Sequence, residues 1–371
     1  MSAGARLTAR YARLVAERGL VDDTAQRAVI ARLAALADAI DKRRRPSLLR
    51  RALARQFPRS WGMEAPRGIY LWGPVGRGKT WLLDLFAAGL PANQVRRSHF
   101  HHFMRDTHRA IAALGPVERP LERIAADIAG RCRALCLDEL YVSDISDAMI
   151  LHGLFSALLA EGVVLAVSSN SAPAALYAGG LQRKRFLPAI ALLESRLDVV
   201  ELAGPDDYRL RHLANADTYV IDGNAAGQAR LVALFNSLAE GIVTEGGALS
   251  IEGREIPLLR AASGMAWFDF AALCDGPRAA ADYIEIAREL HTVFLTGVPV
   301  LDATRDDAVR RFITLVDELY DRGVKLVVGA ATQVGVLYRG ERLADAFART
   351  TSRLIEMRSH DYLARAHRPT A

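Results

Sequence analysis

The residues Gly73-Pro74-Val75-Gly76-Arg77-Gly78-Lys79-Thr80 fit the pattern G-x-x-x-x-G-K-[ST] without a mismatch. Glycines at this spacing let backbone N–H groups curl around an anion with no Cβ in the way. A helix that starts near Lys79 and continues through Trp81 adds its positive N-terminal end. Lys79 is long enough to meet the β- and γ-phosphates of a nucleotide, and the Thr80 hydroxyl suits one position on Mg²⁺. The flanks agree with that chemistry: Tyr70-Leu71-Trp72 reads as an apolar strand and Trp81 to Phe86 as a helix. The ligands implied are ATP and Mg²⁺.

A second group of candidates lies 59 residues beyond Lys79. Arg133 to Leu137 is an apolar run of the kind that forms a buried parallel strand, and it ends in Asp138-Glu139. Acids at the carboxyl end of such a strand sit where open α/β sheets bind ligands. Asp138 is expected to hold Mg²⁺ and Glu139 to act on the attacking water as general base. Val163 to Val167 is another buried strand, and it runs into Ser168-Ser169-Asn170. The Asn170 amide suits contact with the lytic water or the γ-phosphate; a plain helix cap is the alternative. His99, His101 and His102 invite a metal-site reading. No carboxylate or cysteine stands nearby at ligand spacing, which favours strand-edge or partner-facing histidines.

The elements that position these residues alternate strand and helix from about 66 to 203, which predicts a mostly parallel sheet covered by helices. Before it, residues 7–41 have helical periodicity broken near Gly19 to Asp23, hence two helices with Asp23 or Thr24 as a cap. A basic helical stretch is expected over Leu48 to Phe57, with Arg50, Arg51 and Arg55. Leu181 to Pro188 reads as a basic knot with no apolar period of its own. From about 215 the text changes: a helix over Leu231 to Ile242, a hairpin around Glu252-Gly253, and a strand over Met265 to Phe270. A helix over Tyr283 to Leu290, a strand over Val298 to Leu301, a helix over Asp307 to Tyr320, a strand over Val324 to Val328 and a helical tail follow. The expected organisation is an N-terminal helical region over 1–60, an ATPase core over 61–213 and a C-terminal α/β region over 214–371.

The 371 residues carry a net charge of +6, supplied almost wholly by arginine, with lysine only at Lys42, Lys79, Lys184 and Lys325. That favours weak attraction to acidic surfaces and does not by itself indicate nucleic-acid binding. Nor is there an aromatic-basic module or a recognition-helix signature. Cys132, Cys136 and Cys274 are odd in number and lack C-x-x-C spacing, which suits reduced thiols in a cytosolic protein. No apolar run reaches the length of a membrane span, and the N-terminus has arginines but no apolar signal core.

The combined text resembles the ZapE family of bacterial cell-division ATPases and their mitochondrial relatives, within the AAA+ class of P-loop ATPases. The matching stretches are YLWGPVGRGKTWLLDLF, HFHHFM, LCLDEL, SDISDAM, SSN, LYAGGLQRKRFLPAI, DYRLR, VDELYDRGVKLVVGA and TSRLIEM, spread from about residue 8 to 366. Three departures are small: Pro74 where these proteins often have Gly, Leu140-Tyr141 where an aromatic usually follows the acid pair, and Ser168 where Thr is frequent. The resemblance implies an AAA+-like α/β fold and ATP hydrolysis in the cytoplasm, peripheral to the inner membrane or at the division site. It implies a homo-oligomer that remodels a protein partner, which for the bacterial members is FtsZ; the mitochondrial members are tied to quality control of inner-membrane proteins. By role, Gly73 to Thr80 match the Walker A loop, Asp138 and Glu139 Walker B, and Asn170 sensor 1. Arg183 or Arg185 matches the arginine finger, and Arg209 or Arg211 the second sensor. A nucleic-acid-associated ATPase, such as a helicase loader, is the competing reading, and a nucleotide-gated scaffold a third; the intact Glu139 argues against the scaffold.

The chain also echoes itself. Shifted by 161 positions, Leu154–Gly179 lands on Leu315–Gly340 with nine of 26 positions identical. Either a helix–strand unit is duplicated, or two amphipathic helices entering buried strands share a period. The shared Leu-Tyr pair (176–177 and 337–338) and the tripeptide Ser-Arg-Leu (195–197 and 352–354) are not required by periodicity. They favour a degenerate second half, since 214–300 has no glycine-lysine loop and Leu301-Asp302 lacks the paired acid.

Overall fold

The structure is a computed structural model that describes residues 1–18, 23–43, 65–74, 76–142, 144–203, 213, 216–239, 243–251 and 254–368. The basic stretch expected over Leu48 to Phe57, Val75, and the arginines Arg209 and Arg211 lie outside the described residues. The chain divides into two compact units, Met1–Asp206 and Asp207–Ala371.

The first unit runs α1 (Ala3–Arg18), α2 (Thr24–Lys42), β1 (Gly68–Trp72), α3 (Lys79–Gly89), β2 (Val95–His99), α4 (Phe100–Leu114), α5 (Pro120–Arg131), β3 (Ala134–Asp138), α6 (Ile145–Ala160), β4 (Val164–Ser169), α7 (Arg183–Arg196) and β5 (Leu197–Glu201). Its five-stranded sheet has the order β2-β3-β4-β1-β5, and every neighbouring pair is parallel. Because side chains alternate across a strand, one apolar run supplies two cores. Ile69, Leu71, Cys136 and Ala166 face α1, α2 and α3. Tyr70, Leu137, Leu165 and Val167 face α4 to α7. Asp23 caps α2, its carboxylate accepting the N–H groups of Ala25 and Gln26. Asp144 does the same for α6.

The basic knot is a correction. Leu181 to Pro188 leads into a full helix, α7, whose Phe186, Ala189, Ile190 and Leu193 are buried at helical spacing. The apolar period is there, but it begins inside the basic stretch and passes through Pro188, a residue that ordinarily signals a stop.

The second unit runs β6 (Tyr219–Ile221), α8 (Ala225–Leu238), β7 (Thr244–Glu245), β8 (Ala248–Ile251), β9 (Arg254–Pro257), β10 (Arg260–Ala262), β11 (Met265–Asp269), α9 (Ala280–Glu289), β12 (Thr292–Val298), α10 (Asp306–Asp321), β13 (Lys325–Ala330), α11 (Ala344–Glu356) and α12 (His360–Leu363). The strand expected over Val298 to Leu301 is instead Thr292–Val298: the apolar run stops before Pro299. A six-stranded sheet has the order β6-β13-β12-β11-β10-β7, so 298–330 does not extend the first sheet.

The two sheets share a layout. β2-β3-β4-β1 and β11-β12-β13-β6 have the same connectivity, all parallel. The bounds of α6 and β4 fall on those of α10 and β13 at the 161-residue shift, as do the 3₁₀ turns Pro173–Ala175 and Val334–Val336. Tyr70 pairs with Val167, and Tyr219 pairs with the equivalent Val328. Both tyrosine hydroxyls donate to a carbonyl at 2.8 Å, that of Ser171 in the first unit and that of Thr332, its counterpart, in the second.

Candidate active site

Strand β1 delivers the chain into Gly73, and α3 begins at Lys79. Gly73, Gly76 and Gly78 all have positive φ, at 149°, 80° and 78°. A Cβ on Gly73 would sit 2.6 Å from the Leu202 carbonyl oxygen, so this bend excludes a side chain on steric grounds as well. Lys79 is buried and its Nζ folds back to donate to the carbonyls of Gly73 (2.9 Å) and Pro74 (2.7 Å). The ammonium therefore spans the concave side of the loop. Glycine geometry, a helix N-terminus and a buried cation together fit the phosphates of a nucleotide.

Asp138 ends β3 with its side chain buried. Oδ1 accepts from the Thr80 hydroxyl at 3.1 Å and from the Ser168 hydroxyl; Oδ2 accepts from Arg97 Nη2 at 2.9 Å. Burial alone would raise this carboxyl, but Arg97, His99 and the two hydroxyls outweigh it and hold Asp138 below the ordinary aspartate range. The Thr80–Asp138 hydrogen bond brings together the two oxygen donors that the sequence suggested for Mg²⁺, and oxygen donors at the phosphate loop are what Mg²⁺ takes. Arg97 reaches a second carboxylate as well: its Nε donates to Asp84 Oδ1 at 2.7 Å. One guanidinium thus serves two acids. Asp84 is raised, chiefly by burial, with Arg97 only partly offsetting it. The guanidinium itself is held more firmly charged, the two carboxylates outweighing burial.

Glu139 has φ 54°, a left-handed conformation that an L-residue adopts at a cost. Its N–H donates to Ser168 Oγ at 3.1 Å, and the next N–H, of Leu140, donates to the Ser168 carbonyl at 2.8 Å. Ser169 Oγ donates to the Leu140 carbonyl (2.8 Å) and accepts the Ser171 N–H (3.1 Å). The two serines therefore tie the turn after Asp138 to the end of β4, next to the exposed Asn170. Trp81 is buried in α3. Arg183 and Arg185 stand in the first turn of α7. Arg183 Nη2 donates to the Ala174 carbonyl (2.6 Å), and the exposed Arg185 donates to Gln182 Oε1 (3.0 Å).

Sequence reasoning missed Arg97, Asp84 and the structural part of Ser168. A polar strand, Val-Arg-Arg-Ser-His, paired with the fully buried strand β3 was the available signal for Arg97. A charge at that place needs a buried partner.

A model of the AFG1-like ATPase family matches residues 5–366. The chain belongs to the AFG1-like ATPase family. It is 38% identical over 366 residues to the cell division protein ZapE of Escherichia coli, covering 97% of this chain and 98% of that one. The lactation elevated protein 1 homolog B of Danio rerio is 36% identical over 343 residues, covering 80% of this chain and 68% of that one. Among solved structures, a crystal structure of DnaI matches 49% of this chain and 86% of its own at 16% identity with a TM-score of 0.34. As a family member the chain is a P-loop ATPase, and a nucleotide is its ligand. Among the described residues no helix is long and apolar enough to cross a membrane.

Proposed function

We propose that this AFG1-like ATPase hydrolyses ATP with Mg²⁺ at the Gly73–Trp81 loop and couples turnover to remodelling a protein partner in cell division, of the FtsZ type. The observation that carries the chemical part is the Thr80–Asp138 hydrogen bond, which joins the phosphate loop to the acid strand in one site. The metal, when bound, neutralises phosphate charge. Thr80 and Asp138 hold it; Lys79 turns its ammonium to the transferred phosphate; Glu139 takes the proton of the attacking water; Asn170 orients that water or the γ-phosphate. Arg183 or Arg185 acts on a neighbouring subunit's phosphate in a homo-oligomer. Arg209 or Arg211 remains the proposed second sensor. The name of the 38%-identical bacterial relative supports the division role. The protein acts in the cytoplasm, peripheral to the inner membrane or at the division site.

The test is ATPase activity of Lys79→Ala and Glu139→Gln proteins, alone and with FtsZ polymer or single-stranded DNA. Lys79→Ala should not turn over, and Glu139→Gln should bind ATP without hydrolysing it. Stimulation by FtsZ polymer and not by DNA is expected; stimulation by DNA alone overturns the partner reading.

The second unit is an internal copy of the core that has lost the chemistry. Because Leu137 pairs with Val167 and Leu295 with the equivalent Val328, the counterparts of Asp138 and Glu139 are Thr296 and Gly297. The counterpart of Arg97 is Trp267, whose Nε1 donates to Thr296 Oγ1 at 2.8 Å, a neutral version of the Arg97–Asp138 contact. Leu301-Asp302 is therefore not the counterpart of the acid pair. In place of the glycine-lysine loop, Asp222 to Asn224 joins β6 to α8, and Asp222 Oδ2 accepts the Gly297 N–H at 2.9 Å. A carboxylate there repels phosphate. This half relays the nucleotide state to the partner and binds no nucleotide.

A further inference from the structure

Two side chains at the N-terminal end of α2, Asp23 and Gln26, reach the phosphate loop, and Tyr11 of α1 braces one of them. The Tyr11 hydroxyl donates to Gln26 Oε1 at 3.3 Å, and Gln26 Nε2 donates to the Arg77 carbonyl at 3.1 Å. Arg77 Nη2 donates to Asp23 Oδ2 at 2.8 Å and to the Ala203 carbonyl at 3.0 Å. All of these side chains are buried: Tyr11 is 4% exposed, Gln26 6% and Arg77 4%, and the Asp23 side chain 9%. The Tyr11 ring packs on Trp81 of α3 with centroids 5.3 Å apart.

Arg77 is inside the motif, yet its charge is committed to Asp23 and to backbone. The informative contact is the one to its carbonyl. The peptide between Arg77 and Gly78 is planar and trans, so its C=O and the Gly78 N–H point in opposite directions. Holding the carbonyl on the α2 side turns the Gly78 N–H to the other side of the loop. Gly78 is the last residue before the helix, with φ 78°, and a Cβ there would lie 3.0 Å from Gln26 Nε2. Glycine has many other conformations available at that point, and the hydrogen bond from Gln26 selects one of them.

We propose that Gln26, braced by Tyr11 and flanked by the Asp23–Arg77 ion pair, is a positioning residue for the nucleotide: it aims the Gly78 N–H at a phosphate oxygen. The N-terminal helical pair is then part of the ATP site. The inference rests on the reading of Gly73–Thr80 as that site.

The test is equilibrium titration of the full-length chain with a fluorescent ATP analogue and Mg²⁺, alongside melting of the nucleotide-free protein. Gln26→Met keeps the length and apolar packing but lacks the donor, and should raise Kd about tenfold, the equivalent of one hydrogen bond. Gln26→Glu puts a carboxylate oxygen against the Arg77 carbonyl and should weaken binding further. Tyr11→Phe loosens the brace and should raise Kd by a smaller factor. A purely structural role predicts a lower melting temperature with wild-type Kd in the folded fraction, and that result overturns the proposal. If Gln26→Met does not fold, Tyr11→Phe and Gln26→Glu decide it, and unchanged Kd in both overturns it. Wild-type protein that fails to bind the analogue, or Lys79→Ala protein that binds it normally, overturns the ATP-site reading and the inference with it.

Discussion

Arg97→Met should be among the most damaging single changes outside the glycine loop. The side chain is 23% exposed and makes two charge-assisted hydrogen bonds, to Asp84 at 2.7 Å and to the 1%-exposed side chain of Asp138 at 2.9 Å. Removing one partner of such a pair leaves the other charge buried, at about 3–5 kcal/mol. Here two carboxylates lose their cation together. Adding Asp84→Asn to Arg97→Met removes one of the stranded charges and should restore about 1–2 kcal/mol. Urea unfolding by tryptophan fluorescence, in a Trp267→Phe background, reports the first unit, because the remaining tryptophans Trp61, Trp72 and Trp81 all precede residue 207 in the chain. The slopes must match for the midpoints to be compared. A loss below about 1 kcal/mol for Arg97→Met, or a double variant no better than the single one, would show that Arg97 does not neutralise this site.

Asp138 gives the sign of an acid effect: its folded-state pKa is depressed, so its stabilisation is present above the ordinary aspartate value and lost as pH falls through the depressed one. Ser168→Ala removes one hydroxyl from Asp138 and should move acid unfolding to higher pH; an unmoved midpoint counts against that bond. Mixing Arg183→Ala or Arg185→Ala protein with Lys79→Ala protein should partly restore ATPase activity if the finger acts between subunits, on the order of 10³ in turnover being at stake. Activity per chain that stays constant on dilution to a demonstrated monomer rules that out. Titration with an ATP analogue should give one site per chain, and a second site would contradict the reading of the second unit.

The alternation of buried strands with periodic helices made the first sheet legible, because a parallel strand has to be apolar on both faces. Gly73 to Thr80 and Asp138-Glu139 were legible for a related reason: phosphate chemistry fixes residue type and spacing within a few residues of chain. Gln26 and Arg97 were not, since each meets the site only through tertiary packing, and neither stands at a spacing that marks it. Pro188 hid α7 because local chemistry argued for a stop while packing of Phe186, Ile190 and Leu193 carried the helix on. The strand Thr292–Val298 is less legible because Gly297, with a φ of 72°, interrupts its apolar run just before Val298.

The second unit serves as an internal control on the first. Features held by both units belong to the layout they share: the Tyr70 and Tyr219 hydroxyls on equivalent carbonyls, and Gly162 and Gly323, each left-handed at the turn into a buried strand. A left-handed residue also recurs at the equivalent position, Glu139 just past the end of β3 and Gly297 inside the irregular end of β12. The positive φ is thus common to the two chain paths. In the second unit it is met by the residue that adopts it without strain. In the first unit it is met by a glutamate, which tolerates the same φ only at a cost of order 1–3 kcal/mol. A glycine would adopt that φ without strain, so the glutamate side chain at 139 is carried against the backbone's preference. Glu139→Gly should therefore abolish hydrolysis while leaving the protein as stable as wild type or more so. A clear loss of stability would mean that the Glu139 side chain is structural and that the general-base assignment has lost its physical argument.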